Sequence, residues 1–166
     1  MEISELIRTR RSIRKFDSRP IEEEKFNRIM EAGRLAPSAS NKQDWKFILV
    51  TDKTILTNLA EACNGQSFVA EAPAAIISCS NSDRVMSCGQ AAATVDCSIA
   101  MSFMIMQATD LGLGTCWLGS FNQDAVKKAV EISDDYTIVA ITPLGYPTEI
   151  PASRPRKAVS QVWIRK

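Results

Sequence analysis

Histidine is absent from the 166-residue chain. This absence excludes Ser-His-Asp and Cys-His catalysis, a histidine general base and a histidine metal ligand. The five cysteines are an odd number at wide, irregular spacing with no Cys-x-x-Cys pair, so they indicate neither a disulfide framework nor a zinc site. We expect each to be a small buried apolar side chain. If the protein is an enzyme, we therefore expect a cofactor to carry its chemistry.

Targeting and membrane segments are also missing. No basic and apolar leader opens the chain, and its most apolar stretch, residues 91–111, is interrupted by polar residues such as Asp96 and Asp110. The sequence therefore predicts a buried helix there instead of a membrane span, and a cytoplasmic protein without a signal peptide. The length and a hydrophobic content of 45% favour one domain over residues 1–166 with a substantial core.

Positive charge is scarce in the middle of the chain and concentrated at its ends. The formal net charge is +1, yet sixteen of the twenty Lys and Arg lie within residues 1–46 and 154–166. A solvated basic face is the usual role of such clusters. The alternative is a local anion site, because the planar donor fork of arginine matches phosphate oxygens. A nucleic-acid binder is disfavoured by the near-neutral charge, the two tyrosines and the lack of a binding motif.

Periodicity and capping residues predict a mixed fold. Helices are expected over residues 2–8, 22–35, 54–62, 88–111 and 123–132, with Asp52 and Asn122 as caps. Strands are expected over residues 46–51, 74–79, 115–118 and 136–144, and a last one over 158–164. This mixture indicates an α+β sheet covered by helices. The helix over 88–111 is apolar on nearly every face, so it is either a central core helix or one shared with a dimer seam.

Secondary structure and core packing do not readily explain the composition of three segments: residues 10–16, 36–45 and 111–119. In the first, alternation along an extended backbone places Arg10, Ser12 and Arg14 on one side. Arg11, Ile13 and Lys15 then lie on the opposite side. Three donors at that spacing suit a phosphate monoester.

The other two segments are rich in small residues. The small side chains of residues 36–45 would let the backbone of this segment lie close to a flat ligand, and its Asn and Gln would offer paired donors and acceptors. An ordinary loop after a helix is the simpler explanation. The glycines of residues 111–119 either cap the preceding helix or expose backbone N–H groups to a ring nitrogen. Neither a Rossmann fingerprint nor a Walker phosphate loop occurs in the sequence.

Four blocks taken in order, RRSIRKF, APSASNKQDW, LGLGTCWLGSF and ITPLGYPTEIPASRPRK, resemble successive blocks of the FMN-dependent nitroreductase family. Four ordered blocks are more specific than any single one, and the resemblance runs through essentially the whole chain. The length resembles the compact members, which lack the helical excursion that covers the active site in longer ones. Two departures are visible: Asp44 stands where the family usually has proline, and Ser120 where a second glycine is common.

The resemblance implies a set of FMN-binding residues. Those matching the phosphate and ribityl contacts are Arg10, Arg11, Ser12 and Arg14, and the C-terminal basic pair that closes on the phosphate is Arg154 and Arg156. The loop along the isoalloxazine, which reaches over from the partner subunit, matches Pro37, Ser38, Ala39 and Asn41. Leu118 and Gly119 match the backbone facing flavin N5, and Gln66 the amide near the pyrimidine edge. No catalytic acid or base side chain is implied.

The same resemblance implies an α+β fold with a central, mostly antiparallel sheet flanked by helices. It also implies a homodimer in which the C-terminal tail, about residues 151–166, packs on the partner subunit. The expected activity is transfer of electrons from NAD(P)H through FMN to a nitroaromatic, quinone or similar acceptor by a ping-pong mechanism. A flavin-storing protein with little turnover, or a flavin-consuming or dehalogenating enzyme of the same fold, are the alternatives.

Overall fold

Helices and strands are mixed along the whole chain, which a computed structural model describes over residues 2–166. In chain order the elements are α1 (Ile3–Thr9), α2 (Glu23–Arg34), a 3-10 turn (Ala39–Asn41), β1 (Lys46–Val50), α3 (Lys53–Ala62), α4 (Phe68–Glu71), β2 (Ala74–Ser80), α5 (Ala92–Asp110), β3 (Gly114–Thr115), α6 (Gln123–Ala129), β4 (Thr137–Gly145) and α7 (Val159–Val162).

The strands of residues 2–166 form one antiparallel sheet in the order β1-β2-β4-β3. Ile77 of β2 pairs with Ile48 of β1 and with Ile141 of β4, so β2 is an interior strand. All of β2 is buried, because helices cover both faces of the sheet. The predicted α+β class with a central antiparallel sheet is confirmed.

Neighbouring residues of β2 point into two separate cores, as strand alternation requires. Ile77 lies in the core under α3, α4 and α6, with Leu59 and Val126. Ile76 lies in the opposite core under α2 and α5, with Met104. Each fully buried side chain of this size stabilises the fold by roughly 1.5–3 kcal/mol through its removal from water.

Both predicted helix caps are confirmed. The side chain of Asp52 accepts a hydrogen bond from the Ile55 N–H at 3.0 Å, and that of Asn122 accepts one from the Ala125 N–H at 2.9 Å. Each cap satisfies an N–H group that the first turn of a helix otherwise leaves without a partner.

Several predicted boundaries are wrong for local reasons. α5 begins at Ala92 and not at residue 88, because Gly89 (φ 85°) closes a turn by donating its N–H to the Met86 carbonyl at 2.8 Å. α6 ends at Ala129, three residues early, where Glu131 adopts a left-handed backbone (φ 52°). The single turn α4 was not predicted at all, since four residues carry too little periodicity.

The strand predicted over residues 115–118 is wrong in extent. β3 holds only Gly114–Thr115, and the chain then leaves the sheet. Leu118 returns as an isolated bridge, exchanging backbone hydrogen bonds of 2.8 and 3.2 Å with Ile141.

The strand predicted over residues 158–164 is also wrong. That segment forms α7, in which the Gln161 N–H donates to the Ala158 carbonyl at 2.9 Å and the Gln161 side-chain oxygen accepts from the Ala158 N–H at 3.0 Å. A strand needs a sheet edge, and this tail pairs with none in residues 2–166, so local hydrogen bonds form instead. Its apolar side chains are 62–80% exposed: Val159, Val162, Trp163 and Ile164.

Helix α5 is covered on only part of its surface. Its buried side packs on the sheet and on α2, whereas a second stripe is half-buried or exposed: Val95, Ile99, Phe103 and Met106. Phe103 is 46% exposed. This distribution favours a helix shared between the core and an interface. Within residues 2–166, no helix has both the length and the apolar character that crossing a bilayer requires.

Residues 10–17, here called the N-terminal arm, run along the sheet beside β3. The Ile13 N–H donates to the Thr115 carbonyl at 2.8 Å, and the Asp17 N–H donates to the Tyr146 carbonyl at 2.8 Å. Ile13 is 4% exposed, and its side chain lies against Gly114. A Cβ at Gly114 would lie 2.7–2.8 Å from Ile13 carbons, so only glycine lets the arm come this close.

Gly114→Ala is expected to push Ile13 and the arm away from β3. Overpacking of this kind lowers the free energy of unfolding by roughly 1–3 kcal/mol, measured by urea denaturation. Gly119→Ala is the matched control, since a Cβ there meets nothing within 4 Å. An equal loss of stability in both variants would contradict the close-contact explanation.

Candidate functional site

The two basic ends of the chain meet at one cavity of about 160 Å³. It is lined by the N-terminal arm and by residues 151–156, and all six predicted phosphate-binding residues belong to its lining: Arg10, Arg11, Ser12, Arg14, Arg154 and Arg156. The structure thus favours the local anion site over a solvated basic face.

None of these five arginines forms an ion pair with a carboxylate of residues 2–166. Elsewhere in the chain arginines do find carboxylates: Arg28 lies 3.7 Å from Asp110, and Arg34 lies 2.6 Å from Glu31. Like charges gathered without a counter-ion repel one another, so the cavity is suited to a bound anion.

The arm's backbone fixes where its side chains lie. Arg10 ends α1, donating its N–H to the Leu6 carbonyl at 3.0 Å. The predicted alternation holds for Ile13, which is buried on the other side, but not for Arg11, which lines the same cavity. Arg11 folds back to donate to the Arg8 carbonyl at 2.6 Å. Its Nε is buried and has no hydrogen-bond partner in residues 2–166, leaving a donor available beside the cavity.

The Cys116 thiol lies beneath this cluster. Burial raises the pKa of Cys116, while the nearby charges of Arg14, Arg10 and Arg154 and a hydrogen bond from Ser12 lower it. These influences locate residues from both ends of the chain around one sulfur atom. The net shift is upward, so at neutral pH the thiol stays protonated and is a poor nucleophile.

The other cysteines follow the sequence prediction with one exception. Cys63, Cys79 and Cys97 are buried, and burial raises the pKa of the first two to about 11 and of the third to about 12. Cys88 is exposed in the turn before α5, so the prediction of a buried side chain is wrong there.

The turn after β3 differs in backbone hydrogen bonding at the two residues that were predicted to face the flavin. Leu118 gives its N–H to Ile141, so it cannot offer that group to a ligand in the same arrangement. The Gly119 N–H has no hydrogen-bond partner in residues 2–166, and no atom crowds its Cα. Gln66 lies beside this turn: its Nε2 donates to the Cys63 carbonyl at 2.9 Å and reaches the Ser120 carbonyl at 3.4 Å.

The loop of residues 37–43, here called the polar loop, does not line the arginine cavity of its own protomer. It carries four of the predicted site residues: Pro37, Ser38, Ala39 and Asn41. The Ala39 N–H donates to Asp96 of α5 at 3.0 Å, and the Ser38 hydroxyl accepts from the Gln43 N–H at 3.1 Å. Within this chain the predicted site residues therefore fall into separate groups, one at the arginine cavity and one in the polar loop.

The polar loop holds three non-glycine residues in the left-handed region. Their φ angles are 55° at Ser40, 53° at Asn41 and 56° at Gln43. Such a conformation costs a residue with a Cβ on the order of 1–2 kcal/mol. Residues in this state persist only where their surroundings enforce it, and they concentrate at functional sites.

The sequence profile of the Nitroreductase family matches residues 7–84 and 64–146. The chain belongs to the nitroreductase family. A relative from Methanothermobacter thermautotrophicus, provisionally named NADH dehydrogenase/NAD(P)H nitroreductase, is 34% identical over 158 residues, covering 93% of this chain and 82% of the relative. The resemblance read from the four sequence blocks is thus confirmed.

Two solved structures of the nitroreductase family extend the comparison to the fold. A nitroreductase family protein from Clostridium novyi NT is 35% identical, with a TM-score of 0.86 over 90% of this chain and 87% of that chain. An FMN-dependent nitroreductase from Clostridium difficile R20291 is 28% identical, with a TM-score of 0.84 over 97% and 98%.

Four further residues of this nitroreductase-family chain contact the site segments and were not predicted. Arg84 and Asp96 hold the polar loop, Phe68 lies 5.8 Å under the Arg14 guanidinium, and Trp117 lines a groove that shares Arg10 and Ser12 with the cavity. Two of them carried a sequence signal. Arg84 is the only basic residue between Lys53 and Lys127, and Asp96 is an acid inside an apolar helix.

Proposed function

We propose that this protein is an FMN-dependent oxidoreductase that takes electrons from NAD(P)H and reduces a nitroaromatic, a quinone or a similar acceptor. The observation that carries the proposal is the set of five arginines around one cavity with no carboxylate among residues 2–166 to neutralise them. FMN ends in a phosphate monoester, and phosphate supplies the missing negative charge. The relatives' names agree, since one names FMN and another NAD(P)H.

The residues present fit such a group. The cavity of about 160 Å³ is below the 300–1,000 Å³ usual for a small-molecule pocket, which suits the phosphate alone. A neighbouring groove of about 380 Å³ shares Arg10 and Ser12 with it and continues past Trp117. The buried Arg11 Nε is a donor without an acceptor among residues 2–166, and a polar ligand would supply that acceptor.

When bound, FMN supplies the redox chemistry, accepting hydride from the nicotinamide and passing electrons to the acceptor. The chain contributes binding and electrostatics. Arg10, Ser12 and Arg14 hold the phosphate from the arm, and the C-terminal arginines close over it. The Gly119 N–H and the Gln66 amide are assigned to the edge of the flavin ring in this proposal. No side chain is assigned as acid or base, and both substrates use the same pocket in turn.

A homodimer is part of the proposal, because each protomer holds two separate halves of the site. The exposed stripe of α5 borders an apolar groove of about 510 Å³ that includes Ile3, Ile7, Phe103 and Met106. The tail from about residue 151 ends in four exposed apolar side chains that find no cover in their own protomer. A second copy would bury both surfaces and bring its polar loop to the flavin, so residues 1–166 act as one domain with an exchanged tail.

The first test is a visible spectrum of the purified protein after incubation with FMN and removal of the excess. We expect flavin absorption that NADH or NADPH bleaches under anaerobic conditions, because the two-electron reduced flavin loses its visible bands. A quinone or nitroaromatic should then restore the bands.

Absence of flavin bands would overturn the proposed function. Bands that persist with nicotinamide would instead favour a flavin-binding protein with little turnover. Parallel lines in double-reciprocal initial-rate plots are expected for two substrates that use one pocket in turn, and intersecting lines would contradict that mechanism.

Arg10→Ala should weaken FMN binding by roughly 1.5–3 kcal/mol, the loss of a charge-assisted hydrogen bond. The dissociation constant is measured by quenching of flavin fluorescence. Arg8→Ala is the control, since Arg8 is exposed on α1 and does not line the cavity. Equal affinity in the two variants would mean that the phosphate lies elsewhere.

Ending the chain after Lys157 removes the exposed apolar tail and should convert dimers to monomers, with loss of FMN binding. Sedimentation velocity measures the mass and fluorescence quenching the affinity. Removal of Arg165 and Lys166 alone is the control, because it changes charge but removes no apolar surface. A dimer that survives the longer truncation with FMN bound would refute the exchanged tail.

A further inference from the structure

We propose that Asp44, Arg84 and Asp96, here called the clasp, are positioning residues that hold the polar loop in the shape in which it contacts the flavin. The proposal rests on the proposed function, since that function makes the loop part of the cofactor site. None of the three lines the arginine cavity. They act through the loop, and their effect is on its conformation.

Arg84 contacts Ala39 near the start of the loop and Asp44 directly after it, both through one guanidinium group. Its Nη2 donates to the Ala39 carbonyl at 3.2 Å and approaches Asp44 Oδ2 at 3.4 Å. Its Nε approaches the same carboxylate oxygen at 3.4 Å. A rigid planar fork that spans a carbonyl and a carboxylate fixes their separation, which a flexible lysine ammonium does not do.

Asp96 holds the other side of the same peptide. Its Oδ1 accepts from the Ala39 N–H at 3.0 Å, and its Oδ2 lies 3.7 Å from the Arg84 Nη2. The residue is 2% exposed, and Oδ2 has no hydrogen-bond partner in residues 2–166. A buried carboxylate is costly unless a cation accompanies it, so Arg84 and Asp96 depend on each other.

Asp44 fastens the far end of the loop to the sheet. Its Oδ2 accepts from the Ser82 hydroxyl at 3.2 Å, and its carbonyl accepts from the Ser80 hydroxyl at the end of β2. Asp44 therefore restrains this end of the loop through an ion pair and hydrogen bonds.

The loop between these anchors needs such restraint. Ser40, Asn41 and Gln43 are left-handed without being glycine, and all three side chains are exposed. The hydrogen bonds inside the loop, such as Gln43 Nε2 to the Asn41 carbonyl at 3.3 Å, lie on its surface, where water competes. Without the clasp the loop is expected to relax to several conformations, and the flavin would then have to order it on binding.

The test compares Arg84→Lys and Asp44→Ala with the unchanged protein. Arg84→Lys keeps the positive charge beside buried Asp96, so the fold is retained while the fork is lost. Asp44→Asn retains an acceptor for Ser82 and should recover part of the lost function. Arg28→Ala is the control variant: it breaks an ion pair of 3.7 Å between α2 and Asp110 at the end of α5, and it lies outside the loop.

Two readouts are needed, one with flavin and one without. The first is the FMN dissociation constant, expected to rise about tenfold in Arg84→Lys and Asp44→Ala, together with a changed visible circular dichroism of the bound flavin. The second is the rate of tryptic cleavage after Lys42, an exposed loop residue, in flavin-free protein. We expect faster cleavage in both variants and no change in Arg28→Ala.

The outcomes separate the clasp from the proposed function. Faster cleavage together with weaker FMN binding supports the proposal. Faster cleavage with unchanged FMN affinity and spectrum overturns it, because the loop would then be held for stability alone. Unchanged cleavage overturns it as well. If the unchanged protein binds no FMN, the proposed function fails, and with it the clasp's role at the flavin, whatever the cleavage rate.

Discussion

Unneutralised positive charge at one cavity is the constraint on which the site depends. Five arginines from two distant segments line this cavity together with Ser12, and no carboxylate of residues 2–166 pairs with them. The arm keeps its position despite their repulsion because its backbone forms hydrogen bonds to Thr115 of β3 and to Tyr146, and because Ile13 packs against Gly114. A bound dianion would attract each arginine and so offset the repulsion among them. The arrangement of these arginines therefore favours anion binding at a cost to the stability of the free protein.

The sheet and the main helices were predictable from local pattern. The buried run at β2, the capping side chains of Asp52 and Asn122, and the alternation that buries Ile13 each follow from the spacing of a few neighbouring residues. The ends of helices were less predictable, because single residues such as Gly89 and Glu131 decide them through backbone conformation. The family resemblance rests on four sequence motifs, and hydrophobic periodicity does not show that these motifs belong to one site.

The contacts between distant segments could not be predicted from the sequence. Nothing in the spacing of Asp44, Arg84 and Asp96 says that they meet, since each lies on a different element. The strand predicted over residues 158–164 was wrong for a related reason. Its apolar residues suit a strand, but a strand forms only beside a free sheet edge, and this segment lies beside none within residues 2–166. Local propensity alone therefore does not decide the structure of this segment.

The meeting of two distant segments at the cavity has a consequence for biosynthesis. Arg154 is synthesised long after Arg10, so the anion site stays incomplete while the intervening chain is made. A product that stops before Pro151 would contain the residues of both cores but lack one wall of the cavity. Because a ligand that binds only the native state stabilises it by mass action, such a product would not gain the stabilisation that the complete cavity allows.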